Sequence, residues 1–194
     1  SVRFTWGDFI RRFRLETRRY PDFAWVLLTR FLMLTGIWSV NNFLLYYFKD
    51  VLQRPNASGD VVIFSGIYLA TSLITTILSG ALSDRTGRKP LVYLAGAMMT
   101  ITCLLFSFFQ TYTGALIAAA FFGLGFGAYT SVDWALATDV LPPTDQYGKD
   151  MGIWSVAGII PQVIGVALGG SVIYGLKQVL GNTTLGYSVL FGIV

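Results

Sequence analysis

The sequence predicts an all-α membrane protein with five full transmembrane helices and the start of a sixth. Of its 194 residues, 54% are hydrophobic and only 12% are charged, and the mean hydropathy is +0.62. Soluble domains carry about 25% charged residues. The charges are clustered, and the uncharged runs between them are long enough for helices that cross a bilayer core of about 30 Å. We therefore expect the chain to lie in a lipid bilayer.

The hydrophobic runs give the order of the elements. They predict a basic segment over 1–22 and a transmembrane region over 23–194, with spans at about 23–48, 61–82, 90–110, 113–138 and 151–176 and a shortened segment at 187–194. Eight residues make about 12 Å of helix, which is too short to cross a bilayer. The chain also begins at Ser1 without an initiator Met or a signal-peptide pattern. We expect a fragment that continues at both ends.

The basic segment over 1–22 has a helical pattern. Most of its arginines occupy the other faces of the helix. The apolar side chains recur at positions that share one face: Trp6, Phe9, Ile10 and Phe13. This pattern is typical of an amphipathic helix on a membrane surface, and a solvated basic linker fits it nearly as well. Pro21 is expected to end the segment before the first span.

The loops differ in charge, and this difference predicts the orientation. Ten Lys and Arg lie in the N-terminal segment and the 83–89 and 139–150 loops, whereas three lie in the loops on the other side. The positive-inside rule places the N-terminus of the segment in the cytoplasm. Asn56 and Asn182 begin N-x-[ST] sequons in loops predicted to be outside, so both are candidate glycosylation sites. We expect a multi-pass protein of the plasma membrane.

The composition excludes several classes of function. The sequence has no histidine and one cysteine, which excludes zinc sites built on His and Ser-His or Cys-His catalysis. The spans offer one carboxylate and no nucleophile–base pair, so we expect no enzyme, no cofactor and no metal. The net charge of +4 comes mainly from the N-terminal segment and one short loop between spans. This distribution indicates membrane topology and no nucleic-acid binding.

The most specific motif lies in the loop between the second and third spans. It reads Gly80-Ala81-Leu82-Ser83-Asp84-Arg85-Thr86-Gly87-Arg88-Lys89-Pro90. We expect Gly80 to allow close backbone approach, Gly87 to form the turn, and Pro90 to begin the third span. The motif resembles the G-x-L-[AS]-D-R-x-G-R-[KR] signature of the major facilitator superfamily. The matching residues are Gly80, Leu82, Asp84, Arg85, Gly87, Arg88 and Lys89.

The resemblance implies half of a twelve-helix major facilitator bundle, in which two six-helix halves rock about a central site. The first half of the family carries R-x-x-x-G on its fourth span, but the fourth span here has no Arg. The basic segment resembles the linker that joins the halves. We therefore expect this chain to be the C-terminal half, with the missing N-terminal half of the same protein as its partner.

Two ionisable residues lie inside the predicted spans, and such residues are functional candidates by default. Arg30 and Asp133 both lie about 10 Å from the cytoplasmic ends of their spans, at a rise of about 1.5 Å per residue. Helices one and four are neighbours in the family. We predict an Arg30–Asp133 ion pair that gates the inner side or carries the coupled proton. The alternative is that Arg30 snorkels to the interface while Asp133 has a helix-end role.

Further polar and aromatic side chains in the spans are candidate substrate contacts. Amides donate and accept hydrogen bonds, and aromatic rings stack on the apolar face of a sugar. Buried polar residues also serve as interhelical hydrogen-bond partners, and this alternative stays open. The candidates are Trp38, Asn41, Asn42, Tyr129, Trp154 and Gln162.

Small residues predict where helices approach each other closely. The fourth span has Gly123 and Gly127 at G-x-x-x-G spacing, and the fifth has Gly165 and Gly169. Pro161 in the fifth span predicts a kink.

The stretch from Gly148 to Gln162 looks like the corresponding region of sugar–cation symporters in the superfamily. The resemblance implies a secondary transporter that moves a small-molecule substrate, first of all a sugar, by proton-coupled alternating access. A drug or metabolite exporter of the same superfamily is the alternative. A non-transporting scaffold or sensor with the carrier fold is the third hypothesis.

Overall fold

The computed structural model describes residues 21–140, 147–180 and 183–193, and all regular secondary structure in these ranges is helical. The helices are α1 (Pro21–Asp50), α2 (Ala57–Thr86), α3 (Lys89–Phe108), α4 (Tyr112–Val140), α5 (Tyr147–Leu180) and α6 (Thr183–Ile193). Five of them are long and apolar enough to cross a membrane. The predicted fold class, five full spans plus the start of a sixth, is confirmed.

Most helices extend past the apolar runs that predicted them, because their ends lie in polar sequence. Asn56 caps α2, since its side-chain Oδ1 accepts a hydrogen bond from the Gly59 N–H at 3.2 Å. Pro21 and Asp22, which the sequence assigns to the basic segment, are the first residues of α1; proline suits a helix start, where its missing N–H is not needed. The predicted amphipathic helix over residues 1–20 lies outside the described residues.

α4 is the central helix of the half-bundle. It packs mainly against α2 and α3, while α1 packs mainly against α5, and α6 contacts α3 and α5. A Cβ atom added at Gly123 or Gly127 would collide with the backbone of α2 at Tyr68 or Ser72. The predicted close approach at this glycine pair is confirmed, and it brings the backbones of α2 and α4 together.

The second glycine pair makes a different contact. Gly165 and Gly169 of α5 face the side chains of Ser39 and Phe43 of α1. The glycines of α5 therefore pack mainly against side chains of α1. The glycines of α4, in contrast, lie against the backbone of α2.

The two ends of the bundle are built differently. We call the end formed by the start of α1, the α2–α3 loop and the end of α4 the basic end. The opposite end holds an aromatic core in which the rings of Tyr47 and Phe106, and of Phe106 and Phe191, lie 5.0 Å apart. The Tyr47 hydroxyl also donates to the Phe106 carbonyl at 3.1 Å. These contacts tie α1, α3 and α6 together away from the basic end.

Candidate functional site

An ion pair joins α1 to α4 within the apolar part of the bundle. Arg30 Nη1 donates to Asp133 Oδ2, and each side chain is 11% exposed. A charge is costly in this environment unless an opposite charge or a set of hydrogen bonds compensates it. The two charges in the predicted spans therefore neutralise each other at one point.

α5 supplies the surface on which Arg30 rests. The Arg30 Cζ atom lies 4.2 Å from the centroid of the Trp154 ring, and Trp154 itself is 1% exposed. A Cβ atom at Gly158 would stand 3.1 Å from Arg30 Nη2, so the glycine leaves room for the guanidinium. Three helices thus converge on one charged group.

Tyr129 and an apolar cluster complete the surroundings of the pair. Tyr129 lies one helical turn before Asp133, is buried, and interacts with both charged side chains. On the side towards the basic end, buried apolar residues from α1, α4 and α5 pack together: Phe23, Leu27, Ala137, Ile153 and Trp154. This cluster separates the ion pair from the basic end.

Two buried N–H groups at the site have no hydrogen-bond partner among the described residues. They are Arg30 Nε and the indole Nε1 of Trp154. Buried donors are nearly always paired in folded proteins, so a pair of unsatisfied donors at one place marks it as unusual. The guanidinium is held here by Asp133, by Tyr129 and by contact with the Trp154 ring.

The candidate substrate contacts fall into two groups. Tyr129 and Trp154 are buried against the ion pair, whereas Asn41 and Gln162 are exposed on the surface of the half-bundle, and Trp38 and Asn42 are half-buried. The amide nitrogens of Asn41 and Asn42 donate to carbonyls of α1 itself, those of Ile37 at 2.9 Å and Trp38 at 2.8 Å. Among the described residues, the side-chain oxygens of these two amides accept no hydrogen bond.

The loop motif forms a connection to α4. Gly87 has φ +82°, a conformation that favours glycine. Its N–H donates to the Ser83 carbonyl at 3.0 Å and ends α2. Arg88 then donates to the carbonyl of Ala135 and pairs with Asp139, both near the end of α4. The sequence analysis assigned no role to Asp139. An acidic residue at the end of a span, on the same side as an arginine-rich loop, could have predicted this ion pair.

Within the described residues, the other charged residues of the motif make no ion pair or hydrogen bond of this kind with α4. Asp84, Arg85 and Lys89 are exposed. The expectation that Gly80 allows close backbone approach is wrong for the described residues, because no heavy atom lies within 4 Å of the place where its Cβ would stand. That side of α2 faces away from the other described helices.

The candidate glycosylation residues are only partly described. Asn56 is exposed at the start of α2, and the hydroxyl-bearing Ser58 of its sequon is exposed as well. Asn182 lies outside the described residues.

A groove between α1 and α3 runs along a different face of the bundle. It has a volume of about 770 Å³ and is lined by residues such as Trp25, Met33 and Tyr93. A second cavity of about 380 Å³ adjoins it and shares Met33 and Gly96. The residues of the ion pair do not line either cavity.

Comparison with known proteins gives a consistent picture. The family model described as Major Facilitator Superfamily matches residues 23–194. The chain is 30% identical over 65% of its length to the vacuolar basic amino acid transporter 1 of Saccharomyces cerevisiae, of which the match covers 22%. It is 32% identical over 64% of its length to the multidrug resistance protein MdtG of a Rahnella species, of which the match covers 30%.

A third relative is named for another substrate. The chain is 27% identical over 66% of its length to the probable 4-methylmuconolactone transporter of Cupriavidus pinatubonensis, with 32% of that protein covered. The matches thus span between about a fifth and a third of the length of these relatives. No solved structure gives a significant match.

Proposed function

The chain belongs to the major facilitator superfamily, and from this membership we propose that it is the C-terminal half of a secondary transporter. The missing N-terminal half completes the pathway, and the solute crosses by alternating access between two six-helix halves. Fold alone does not determine function, so the proposal depends on the site.

The observation that carries the proposal is the Arg30–Asp133 pair inside the bundle. Ionisable residues inside transmembrane helices are rare, and they mark ion or substrate pathways and proton relays by default. In the proposed mechanism, Asp133 accepts a proton when the pair opens, and Arg30 releases or recaptures the carboxylate as the halves rock. Proton binding is thereby linked to a change in the contacts of α1 with α4.

The proposed solute is a sugar. One turn of α1 carries Trp38, Asn41 and Asn42. An indole ring can stack on a sugar ring, and amide oxygens can accept hydrogen bonds from its hydroxyls. Gln162 of α5 is the further proposed contact. Tyr129 and Trp154 are buried against the ion pair. In this proposal they affect solute binding indirectly, through the ion pair.

The basic end faces the cytoplasm in this proposal, and the plasma membrane is the proposed location. The distribution of Lys and Arg supports this orientation through the positive-inside rule. Asn56 then lies on the outer side, exposed at the start of α2.

The experiment is uptake of labelled monosaccharides and disaccharides by cells that express the complete carrier, with and without an uncoupler. We expect uncoupler-sensitive uptake that is lost in Asp133→Asn. The matched control is Asp22→Asn, which removes an exposed carboxylate at the start of α1. Uptake that survives in Asp133→Asn would contradict the coupling role.

Export of a drug or metabolite is the second candidate. The names of two relatives favour solutes of this kind, because one is a multidrug resistance protein and the other a probable 4-methylmuconolactone transporter. Absence of uptake for every sugar, with the carrier present in the membrane, together with energy-dependent efflux of a fluorescent cationic dye, would replace the sugar proposal with this one.

A further inference from the structure

α5 shapes the ion pair without adding a charge to it. Its stretch 151–176 contains no charged residue. Trp154 and Gly158 are four residues apart and therefore share one face of the helix. The guanidinium of Arg30 lies over the ring of Trp154 at 4.2 Å and beside the open position at Gly158.

The contacts of Arg30 show how Trp154 and Gly158 of α5 can affect the orientation of its guanidinium. A guanidinium carries five N–H donors in a fixed plane. Here Nη1 donates to Asp133, while Nε has no hydrogen-bond partner among the described residues. Asp133 and Tyr129 hold the guanidinium from α4. Its support on the side of α5 is the flat ring of Trp154 and the space at Gly158.

The backbone of α5 is weakened directly after this surface. Pro161 lies inside the helix, three residues after Gly158. Proline has no N–H, so the hydrogen bond to the carbonyl four residues earlier is missing, and helices bend at such points. The part of α5 that carries Trp154 can therefore tilt relative to the part that follows Pro161.

We propose that Trp154 and Gly158 are positioning residues that hold Arg30 against Asp133, so that α5 controls whether the ion pair is closed. When the segment of α5 before Pro161 is packed on α1, the ring and the glycine direct the guanidinium to the carboxylate. When that segment tilts away, Arg30 loses its support and Asp133 is left free to take a proton. This inference rests on the proposed transport function and assigns the control of the pair to a helix that carries neither charge.

The ionisable groups that contact Asp133 in the described residues are Arg30 from α1 and Tyr129 from α4 itself. α5 contributes the indole ring and the glycine, which do not titrate. A change at Trp154 can therefore alter the protonation of Asp133 only through the position of Arg30 or through local solvation.

The test is labelling of Asp133 by dicyclohexylcarbodiimide in membranes that contain the complete carrier, quantified by mass spectrometry. The reagent adds to a protonated carboxyl group, so its rate at fixed pH reports how much of Asp133 is protonated. We expect Trp154→Leu to be labelled at least about fivefold faster than wild type, because a cation–ring contact stabilises the charged arrangement by at least about that factor.

Conservative and control variants separate positioning from general damage. Trp154→Phe keeps a ring under the guanidinium and should keep most of the protection. Trp25→Leu removes an exposed indole from α1 and should label as wild type does. Gly158→Ala places a methyl group against Arg30 Nη2 and should raise the rate about threefold, which keeps the test open if Trp154→Leu is not inserted in the membrane.

Arg30→Gln sets the upper limit of the effect. If Arg30→Gln is labelled fast while Trp154→Leu and Gly158→Ala are labelled at the wild-type rate, the positioning role is overturned. The labelling needs no solute and no gradient. The expected labelling pattern without any sugar uptake would therefore refute the proposed sugar transport and leave the positioning role standing.

Discussion

Arg30 and Asp133 each bring into the bundle a charge that the other compensates. Removing one partner leaves the other uncompensated among apolar side chains, which is more costly than removing both. Arg30→Gln and Asp133→Asn are each expected to lower the free energy of unfolding of the complete carrier by about 3 kcal/mol. The double variant should lose less than the two single losses combined.

The free energy of unfolding is measured by reversible denaturant titration of the purified carrier in detergent. Losses that simply add in the double variant would show that the two side chains contribute independently. The reversed pair, Arg30→Asp with Asp133→Arg, is the matched control, because it keeps both charges while exchanging the helices that carry them.

Asn56 has two chemical roles that single substitutions can separate. Its side chain caps α2 by accepting from Gly59, and it begins a sequon whose third residue is Ser58. Asn56→Ala is expected to lose about 1 kcal/mol of stability, whereas Ser58→Ala keeps the cap. If the residue is glycosylated, both variants migrate faster on a gel than the native protein, and endoglycosidase removes the difference.

At the scale of the helices, the contact between α2 and α4 depends on two glycines. A methyl group at Gly127 would enter the backbone of α2 at Ser72, so the helices have to move apart to accept it. We expect Gly127→Ala to cost about 2 kcal/mol of stability. Gly66→Ala is the control, because nothing lies within 4 Å of its Cβ position on α2.

Thermal unfolding of the two glycine variants distinguishes close packing from a general effect of alanine in a helix. Alanine is the better helix former, so Gly66→Ala should be neutral or slightly stabilising. An equal loss of stability in both variants would contradict the packing explanation.

The number and order of the helices could be predicted from the sequence because each span is a long apolar run. Their ends could not, because α2 begins at a polar cap, Asn56, that the apolar run does not include. The partnership of Arg30 with Asp133 was accessible because they are the only charges at matching depth in the predicted spans. The contact of Trp154 with Arg30 was not, since it depends on how α5 packs across α1.

At the scale of the whole molecule, the two ends are held by different forces. At the opposite end, Arg54 donates to Asp60 at 2.7 Å and lies 4.3 Å from the Tyr112 ring, and the Tyr187 hydroxyl donates to Asp50 at 3.0 Å. The hydrogen bond to Asp60 raises the pKa of the Arg54 guanidinium. These contacts reinforce an aromatic core, whereas the described part of the basic end relies on Arg88 and the cluster around Trp154.

The connection made by Arg88 predicts local stability at the end of α4. Arg88→Gln removes the contacts with Ala135 and Asp139, so backbone amides over 135–140 should exchange with solvent about threefold faster. Hydrogen exchange followed by mass spectrometry measures this, and amides at the start of α4 serve as the internal reference. Lys89→Gln is the matched control variant; the same acceleration in Lys89→Gln would mean that loop charge, and not the contact, stabilises α4.

The distance along the chain between Arg30 and Asp133 has a consequence for synthesis. The two residues are 103 positions apart. At a translation rate of about 5–20 residues per second, Arg30 leaves the ribosome about 5–20 s before Asp133. During that interval α1 carries an unneutralised arginine, because the part of α4 that holds Asp133 and the whole of α5 have not yet been synthesised. The insertion machinery therefore has to retain α1, or shelter its arginine from lipid, until the later helices arrive.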